Sequence, residues 1–121
     1  MPSADEHYKK YLHNKKLRSA DVFSKGIMFA DWVIVIMFYE AVHLIERELA
    51  KQPLQPFHSK DHAVRMGWVT RTASLNKISK AYAALYMQSR RARYDCVNFT
   101  DQDVLGLEAQ FVFIENHLNK P

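Results

Sequence analysis

The spacing of apolar and polar residues predicts a helix over about 3–24. Ser3 and Glu6 stand three apart, the spacing of a capping box, in which each side chain satisfies a free amide at the helix start. The apolar residues of this segment form a thin face: Tyr8, Tyr11, Leu12 and Leu17. Gly26 is expected to end or bend the helix, since glycine weakens helix interiors.

A second helix is predicted over about 29–52. Its first half is apolar all round, which is typical of a central helix surrounded by others. Its second half is amphipathic, and there we assign Glu46 to the polar side. Pro53 and Pro56 end the helix, because proline lacks the amide that a helix interior needs and clashes with the preceding turn.

Three further helices complete the chain. One begins at Ser59, a good N-cap, and runs to about Arg71, and the next covers about 74–94. The last is capped by Thr100, and its apolar residues recur at steps of three and four. These residues are Val104, Leu107, Phe111, Ile114 and Leu118.

No segment shows the alternation of a half-buried strand, so the pattern predicts an all-α fold. The short connections favour antiparallel neighbours. We therefore expect an up-and-down bundle of about five helices. At 121 residues the chain is long enough for one core and too short for two, so residues 1–121 are read as a single domain.

Composition limits the classes of function. A single cysteine, Cys96, excludes an internal disulfide and a cysteine-based zinc site, and it suits a reducing cytoplasm. The most apolar run, Trp32 to Tyr39, is far shorter than the ~20 residues that span a bilayer, so we expect no membrane segment. The three glycines are isolated, so phosphate-loop and dinucleotide motifs are absent and no cofactor is expected.

Charge is distributed unevenly along the chain. Residues 60–93 hold eight Lys or Arg and one acid, whereas residues 94–121 hold five acids and one lysine, within a net charge of +4. Such a split suits nucleic-acid binding. It equally suits helices that complement each other within the fold or across a dimer.

The densest polar cluster lies at the end of the fourth predicted helix. Arg90, Arg93 and Tyr94 share a column with Tyr86, while Ser89 is small enough to let another helix approach closely. Arginines at a helix C-terminus favour the helix dipole, which is a purely structural explanation. Alternatively, paired guanidinium groups beside tyrosines bind a phosphate or nucleotide.

Three histidines are candidates for chemistry. His43 shares an apolar stripe, so it is either a core histidine or an imidazole at the floor of a cleft, available for acid–base work. His62 and Arg65 lie one turn apart beside the buried edge of the third helix. His58 and His62 have metal-ligand spacing, but Ser59 as cap would leave His58 outside the helix, so no metal site is expected.

Several stretches together resemble the HEPN superfamily, in particular its small bacterial and archaeal members. The most specific is the Ser-Arg-x-x-Arg-Tyr-Asp stretch from Ser89 to Asp95, after an amphipathic helix. The others are Asp31-Trp32, Phe38-Tyr39, Ala41 to Leu44, His58 to Arg65 and Tyr82 to Leu85. The resemblance covers roughly half of the chain, from Asp31 to Asp95.

The resemblance implies a helical homodimer with a role in RNA or nucleotide biology. Many members are endoribonucleases of toxin–antitoxin, antiviral or RNA-processing systems, with a cleft at the dimer interface. Their site uses an arginine followed after four to six residues by a histidine on the same helix. No arginine here has a histidine at that spacing: Asp95 to Thr100 occupy the corresponding positions.

Three hypotheses follow from these residues. The leading one is a HEPN-like module that binds RNA, a nucleotide or another phosphate-bearing ligand through Arg90, Arg93 and Tyr94, with Ser89, His43, His62 and Arg65 completing the pocket. The second is a metal-independent endoribonuclease in which His43 or His62 replaces the missing base. The third is a non-catalytic interaction module, such as the partner of a nucleotidyltransferase-like protein, with its arginines paired to the acidic last helix.

Overall fold

Within the part of the chain that the structure describes, the fold consists of five α-helices. The computed structural model describes residues 2–20, 29–52 and 59–119. In chain order the helices are α1 (Ala4–Arg18), α2 (Ala30–Ala50), α3 (His62–Arg71), α4 (Ser79–Tyr94) and α5 (Asp101–Leu118), with a 3-10 turn at Asn76–Ile78. These ranges contain no strand, so the prediction of an all-α bundle of about five helices is confirmed. None of the described helices combines the length and hydropathy needed to cross a bilayer.

The second helix is the centre of the bundle. It packs against α1, α4 and α5, as its all-round apolar first half predicts. Ile34, Met37 and Phe38 from that half are fully buried, and each contributes about 1.5–3 kcal/mol through its removal from water. The short α3 packs against α4 and the 3-10 turn. This arrangement places the end of α4 beside the middle of α2.

Local signals predicted the first and last helices well. Ser3 and Glu6 form the expected capping box, with both hydrogen bonds at 3.1 Å. Thr100 caps α5 in the same way, together with Asp103. Four residues of the predicted α5 stripe are buried, and Val104 is half-buried against them. The end of α1 falls at Arg18, short of the predicted 24, and Gly26 lies outside the described residues.

Two predicted helix starts are wrong. Asp61, not Ser59, caps α3: its carboxylate accepts a hydrogen bond from the Val64 amide at 2.8 Å. Ser59 is buried instead, and its amide donates to Glu46. The helix predicted from 74 begins at Ser79, because the 3-10 turn precedes it. The expectations for Pro53, Pro56 and His58 fall outside the described part of the chain.

The side-chain pattern of α1 and α2 also departs from expectation. Leu12 and Leu17 are exposed, while His7 is buried beside Tyr11. Glu46, predicted on the polar side of α2, has no exposed surface. A carboxylate is costly to bury unless a cation accompanies it. Arg65 of α3 is the cation that accompanies Glu46.

The acids of α5 are used mainly by α1. Glu115 pairs with Lys15 and accepts a hydrogen bond from Tyr11. Arg18 pairs with the buried Glu40 of α2 and lies 3.9 Å from Glu108. These pairs fix α1 against α2 and α5. Glu108 and Glu115 of α5 are thus directed toward α1 and not toward the arginines of α4.

Candidate functional site

A buried ion pair joins α2 to α3. Arg65 Nε donates to Glu46 Oε1 at 2.7 Å, and the second carboxylate oxygen accepts from the Ser59 amide at 3.1 Å. Glu46 is 0% exposed and Arg65 is 6% exposed. Burial opposes the charge on Arg65, but the neighbouring Tyr82 and Glu46 outweigh it and raise its pKa. Arg65 is therefore a fixed cation inside the fold.

Arg65 determines which nitrogen of His62 carries the proton. Its Nη1 lies 2.8 Å from His62 Nδ1. A guanidinium has only donors, so Nδ1 must be the acceptor and Nε2 carries the hydrogen. Burial, followed by the charges of Arg65 and Arg93, lowers the pKa of His62, while Asp61 opposes the shift. His62 is a neutral imidazole at neutral pH.

Aromatic rings surround His62. The centroid of its ring lies 5.3 Å from that of Tyr86, 5.5 Å from Phe38 and 6.4 Å from Tyr39. Nε2 bonds to no described atom and is not enclosed, so it reaches solvent. The imidazole is thus packed among three aromatic rings and keeps one N–H without a described partner.

The basic end of α4 (Arg90, Arg91, Arg93 and Tyr94) divides between two directions. Arg93 Nη1 donates to the Tyr39 hydroxyl at 3.4 Å, a long hydrogen bond, and its guanidinium lies 5.2 Å from the Tyr94 ring centre. Arg91 turns toward Gln88 and Phe99 instead. Arg90 is exposed and forms no hydrogen bond or ion pair with a described residue. Tyr39 therefore contacts both Arg93 and His62.

Ser89 supports this end of α4 by packing. It is fully buried, and its hydroxyl has no hydrogen-bond partner among the described residues. Its carbonyl oxygen accepts from Arg93 Nε at 3.3 Å. Ser89 therefore positions Arg93 through the backbone, and its own side chain does not reach the surface. Tyr94, by contrast, is 68% exposed.

Arg90, Arg91 and Arg93 form no ion pair in the ranges that the structure describes. Arg65, by contrast, has a carboxylate partner in Glu46. Arginines at a helix C-terminus complement the dipole, but that contribution is only ~0.3–1 kcal/mol each and leaves the charge available to solvent. The basic end of α4 is therefore positively charged and accessible.

His43 lies one turn from Tyr39 on α2. Its Nδ1 is 3.1 Å from Nδ1 of His7, and it lines an apolar groove of about 440 Å³ between α1 and α2, along with Leu17 and Trp32. Burial, then the neighbouring His7, lowers the pKa of His43 to about 4. No hydrogen bond joins it to the arginines of α4 within the described chain. Tyr39 also lines the groove, so it separates the two histidines.

Sequence reasoning placed Arg90, Arg93, Tyr94, His62 and Arg65 among the candidates, and the structure brings Arg93, Tyr94, His62 and Arg65 into one neighbourhood. It missed Glu46 and Tyr39. Glu46 stands three and four residues from the buried Leu49 and Val42, and a carboxylate on that stripe is the signal that was overlooked.

Among the residues that the structure describes, no group of three or more His, Cys, Asp or Glu side chains is arranged to hold a metal ion. His58 lies outside those residues. Comparison of the chain with family models, curated proteins and solved structures finds no match.

Proposed function

We propose that this chain is a HEPN-like helical module that binds RNA, or a nucleotide, through the candidate site formed by Arg90, Arg93, Tyr94, Tyr39 and His62. The observation that carries the proposal is the state of the arginines: the three at the end of α4 have no carboxylate partner in the described chain, whereas Arg65 and Arg18 do. Unpaired arginines beside aromatic rings match the chemistry of phosphate and bases.

Single-stranded RNA suits the arrangement better than a duplex. Tyr94 is 68% exposed and lies beneath Arg93, so it offers a face on which a base can stack. Arg90 is free to move to a backbone phosphate. Sequence-specific recognition of RNA mostly targets unstacked bases, because the major groove of duplex RNA is too narrow for side chains.

The interaction-module alternative receives less support. It requires Arg90 and Arg93 to be paired with acids of α5, whereas Glu108 and Glu115 are directed to α1. Asp101 and Asp103 lie in the first turn of α5, and Asp103 accepts from the Thr100 amide. The carboxylates of α5 thus have other roles.

A binding assay with a matched control tests the proposal. Fluorescence anisotropy would follow a short labelled single-stranded RNA at several salt concentrations. The variant Arg90→Ala/Arg93→Ala should bind much more weakly, and its log–log salt slope should be smaller by about 1.4, since each phosphate contact contributes about 0.7. The control Lys77→Ala/Lys80→Ala removes two exposed charges from the other end of the basic segment and should bind nearly as the wild type does.

Two outcomes would remove the proposal. One is an absence of RNA and nucleotide binding at low salt. The other is an equal loss of affinity in both double variants, because that would mean that net charge, and not the candidate site, attracts RNA.

A homodimer, which the HEPN resemblance implies, and a cytoplasmic location, which the single cysteine suits, belong to the same proposal. The dimer is tested by light scattering coupled to size-exclusion chromatography across a range of protein concentrations. A mass of one chain at every concentration would contradict it.

A further inference from the structure

The arginines around His62 and Tyr39 determine the direction of each hydrogen bond. Arg65 Nη1 lies 2.8 Å from His62 Nδ1, and Arg93 Nη1 lies 3.4 Å from the Tyr39 oxygen. Arginine cannot accept a hydrogen bond. His62 Nδ1 and the Tyr39 oxygen are therefore both acceptors, each using a lone pair. The N–H of His62 and the O–H of Tyr39 remain available to donate to another group.

For His62 the remaining proton is on Nε2, which bonds to no described atom and is not among the buried unpartnered atoms. Turning the ring over would take Nδ1 away from Arg65 and lose a hydrogen bond to a charged donor, the stronger kind. Arg65 cannot follow, because Glu46 holds its Nε at 2.7 Å in the core. Glu46 thus orients Arg65, and Arg65 orients His62.

Protonation of His62 is also disfavoured by its surroundings. A second proton on Nδ1 would place two donors against each other at the Arg65 contact. The charged or titratable groups facing the ring are Arg65 and Asp61 from α3, Arg93 and Tyr86 from α4, and Tyr39 from α2. Of these groups, only Asp61 favours the protonated, cationic form of His62.

We propose that His62 is a neutral hydrogen-bond donor to a phosphate oxygen, held in its Nε2–H form by Arg65 and Glu46, and that the candidate site binds the phosphodiester without cleaving it. The ligand in this inference rests on the proposed function. Cleavage of RNA through the ribose 2′-hydroxyl needs a base with a free lone pair to remove the proton. The only lone pair of the His62 imidazole is already occupied by Arg65.

The surface therefore offers donors from Arg93, His62 and Tyr39 together. Phosphate oxygens of a diester are acceptors only, so they satisfy these groups without a proton of their own. Arg65 and Glu46 are positioning residues here, because they act on the ligand only through His62.

The tautomer is measured on the free protein by long-range proton–nitrogen NMR correlation of the imidazole rings. His62 should show a protonated Nε2 and an unprotonated, hydrogen-bonded Nδ1 at neutral pH. The comparison is Glu46→Leu/Arg65→Met, which replaces the pair with apolar side chains of similar size and should remain folded by circular dichroism. In that variant His62 should lose the fixed form and titrate at higher pH. A protonated Nδ1 in the wild type, or identical spectra in both proteins, would overturn the inference.

Assays of RNA binding and of RNA cleavage provide the second test. The wild type, with a chelator present, should bind a single-stranded RNA and leave it intact. His62→Leu should bind about two- to tenfold more weakly, the effect of one lost hydrogen bond. His62→Gln, which keeps an N–H donor, should recover most of that affinity. Cleavage by the wild type that disappears in His62→Gln would instead identify His62 as the base of a ribonuclease.

The NMR measurement and the RNA assays together distinguish failure of the inference from failure of the proposed function. Intact RNA binding with a protonated Nδ1 on His62 overturns only the inference. An absence of RNA binding overturns the proposed function, and with it the role of His62 toward phosphate, even if the spectrum shows the Nε2–H form.

Discussion

Removing the charge of Glu46 should destabilise the protein far more than removing the charge of Glu48, two residues away on the same helix. Glu46 is fully buried and contacts Arg65, which is itself 6% exposed. Glu46→Gln leaves a guanidinium in the core without its counter-charge. Breaking a buried pair in this way costs about 3–5 kcal/mol, and we expect a value near the lower end because glutamine keeps one acceptor oxygen.

Glu48 provides the matched control. It pairs with Lys51 at 3.6 Å, and the lysine side chain is 46% exposed. Exposed pairs of this kind contribute about 0–1 kcal/mol, because water solvates each charge once the other is removed. Glu48→Gln makes the same chemical change on α2 and should therefore alter stability by less than about 1 kcal/mol.

Urea unfolding followed by circular dichroism measures both variants. With an m-value of about 1–3 kcal/mol per molar, a loss of 3 kcal/mol lowers the midpoint by roughly 1–3 M. The double variant Glu46→Leu/Arg65→Met should regain part of that stability, because an apolar pair of similar volume leaves no buried charge, while the Ser59 amide loses its acceptor. Equal, small losses in Glu46→Gln and Glu48→Gln would refute the reasoning, since Arg65 would then have to be solvated.

Three further predictions concern stability. The pKa of His43 is lowered from 6.5 to about 4. The contribution of His43 to the free energy of unfolding is therefore fully present above pH 6.5. It falls as the pH drops toward 4, because the unfolded chain binds a proton there that the folded chain does not bind. His43→Gln should reduce that slope in urea midpoints taken across this pH range; equal slopes in wild type and His43→Gln would be the contrary result. Leu44→Ala should cost about 2–5 kcal/mol in the same assay, because Leu44 is fully buried in the central helix; a loss below 1 kcal/mol would contradict its place there. Thr100→Ala should cost about 1 kcal/mol by removing the hydrogen bond that its hydroxyl accepts from the Asp103 amide, and an unchanged thermal midpoint would count against that cap.

Features determined by neighbouring residues could be predicted from the sequence. The capping boxes at Ser3 and Thr100 and the apolar stripe of α5 depend on spacings of three and four, which the chain itself displays. The start of α3 could not be predicted in the same way. Ser59 and Asp61 are both good caps, and the choice is made by the distant Glu46, which takes the Ser59 amide.

In the candidate site, too, only the features determined by neighbouring residues could be predicted from the sequence. The column of Arg90, Arg93 and Tyr94 follows from helical periodicity on α4. The meeting of Arg93 with Tyr39, 54 residues away, does not, because it depends on how α4 packs on α2. The contact of His43 with His7 on α1 is likewise one that no local sequence pattern predicts.

Backbone NMR during titration with a short single-stranded RNA shows which residues the RNA contacts. Shifts of the amide signals should be concentrated at Ser89 to Tyr94, around His62 and at Tyr39, with little change at Leu17 and Trp32 in the apolar groove. Shifts centred on that groove, or no shifts at low salt, would contradict the proposed function.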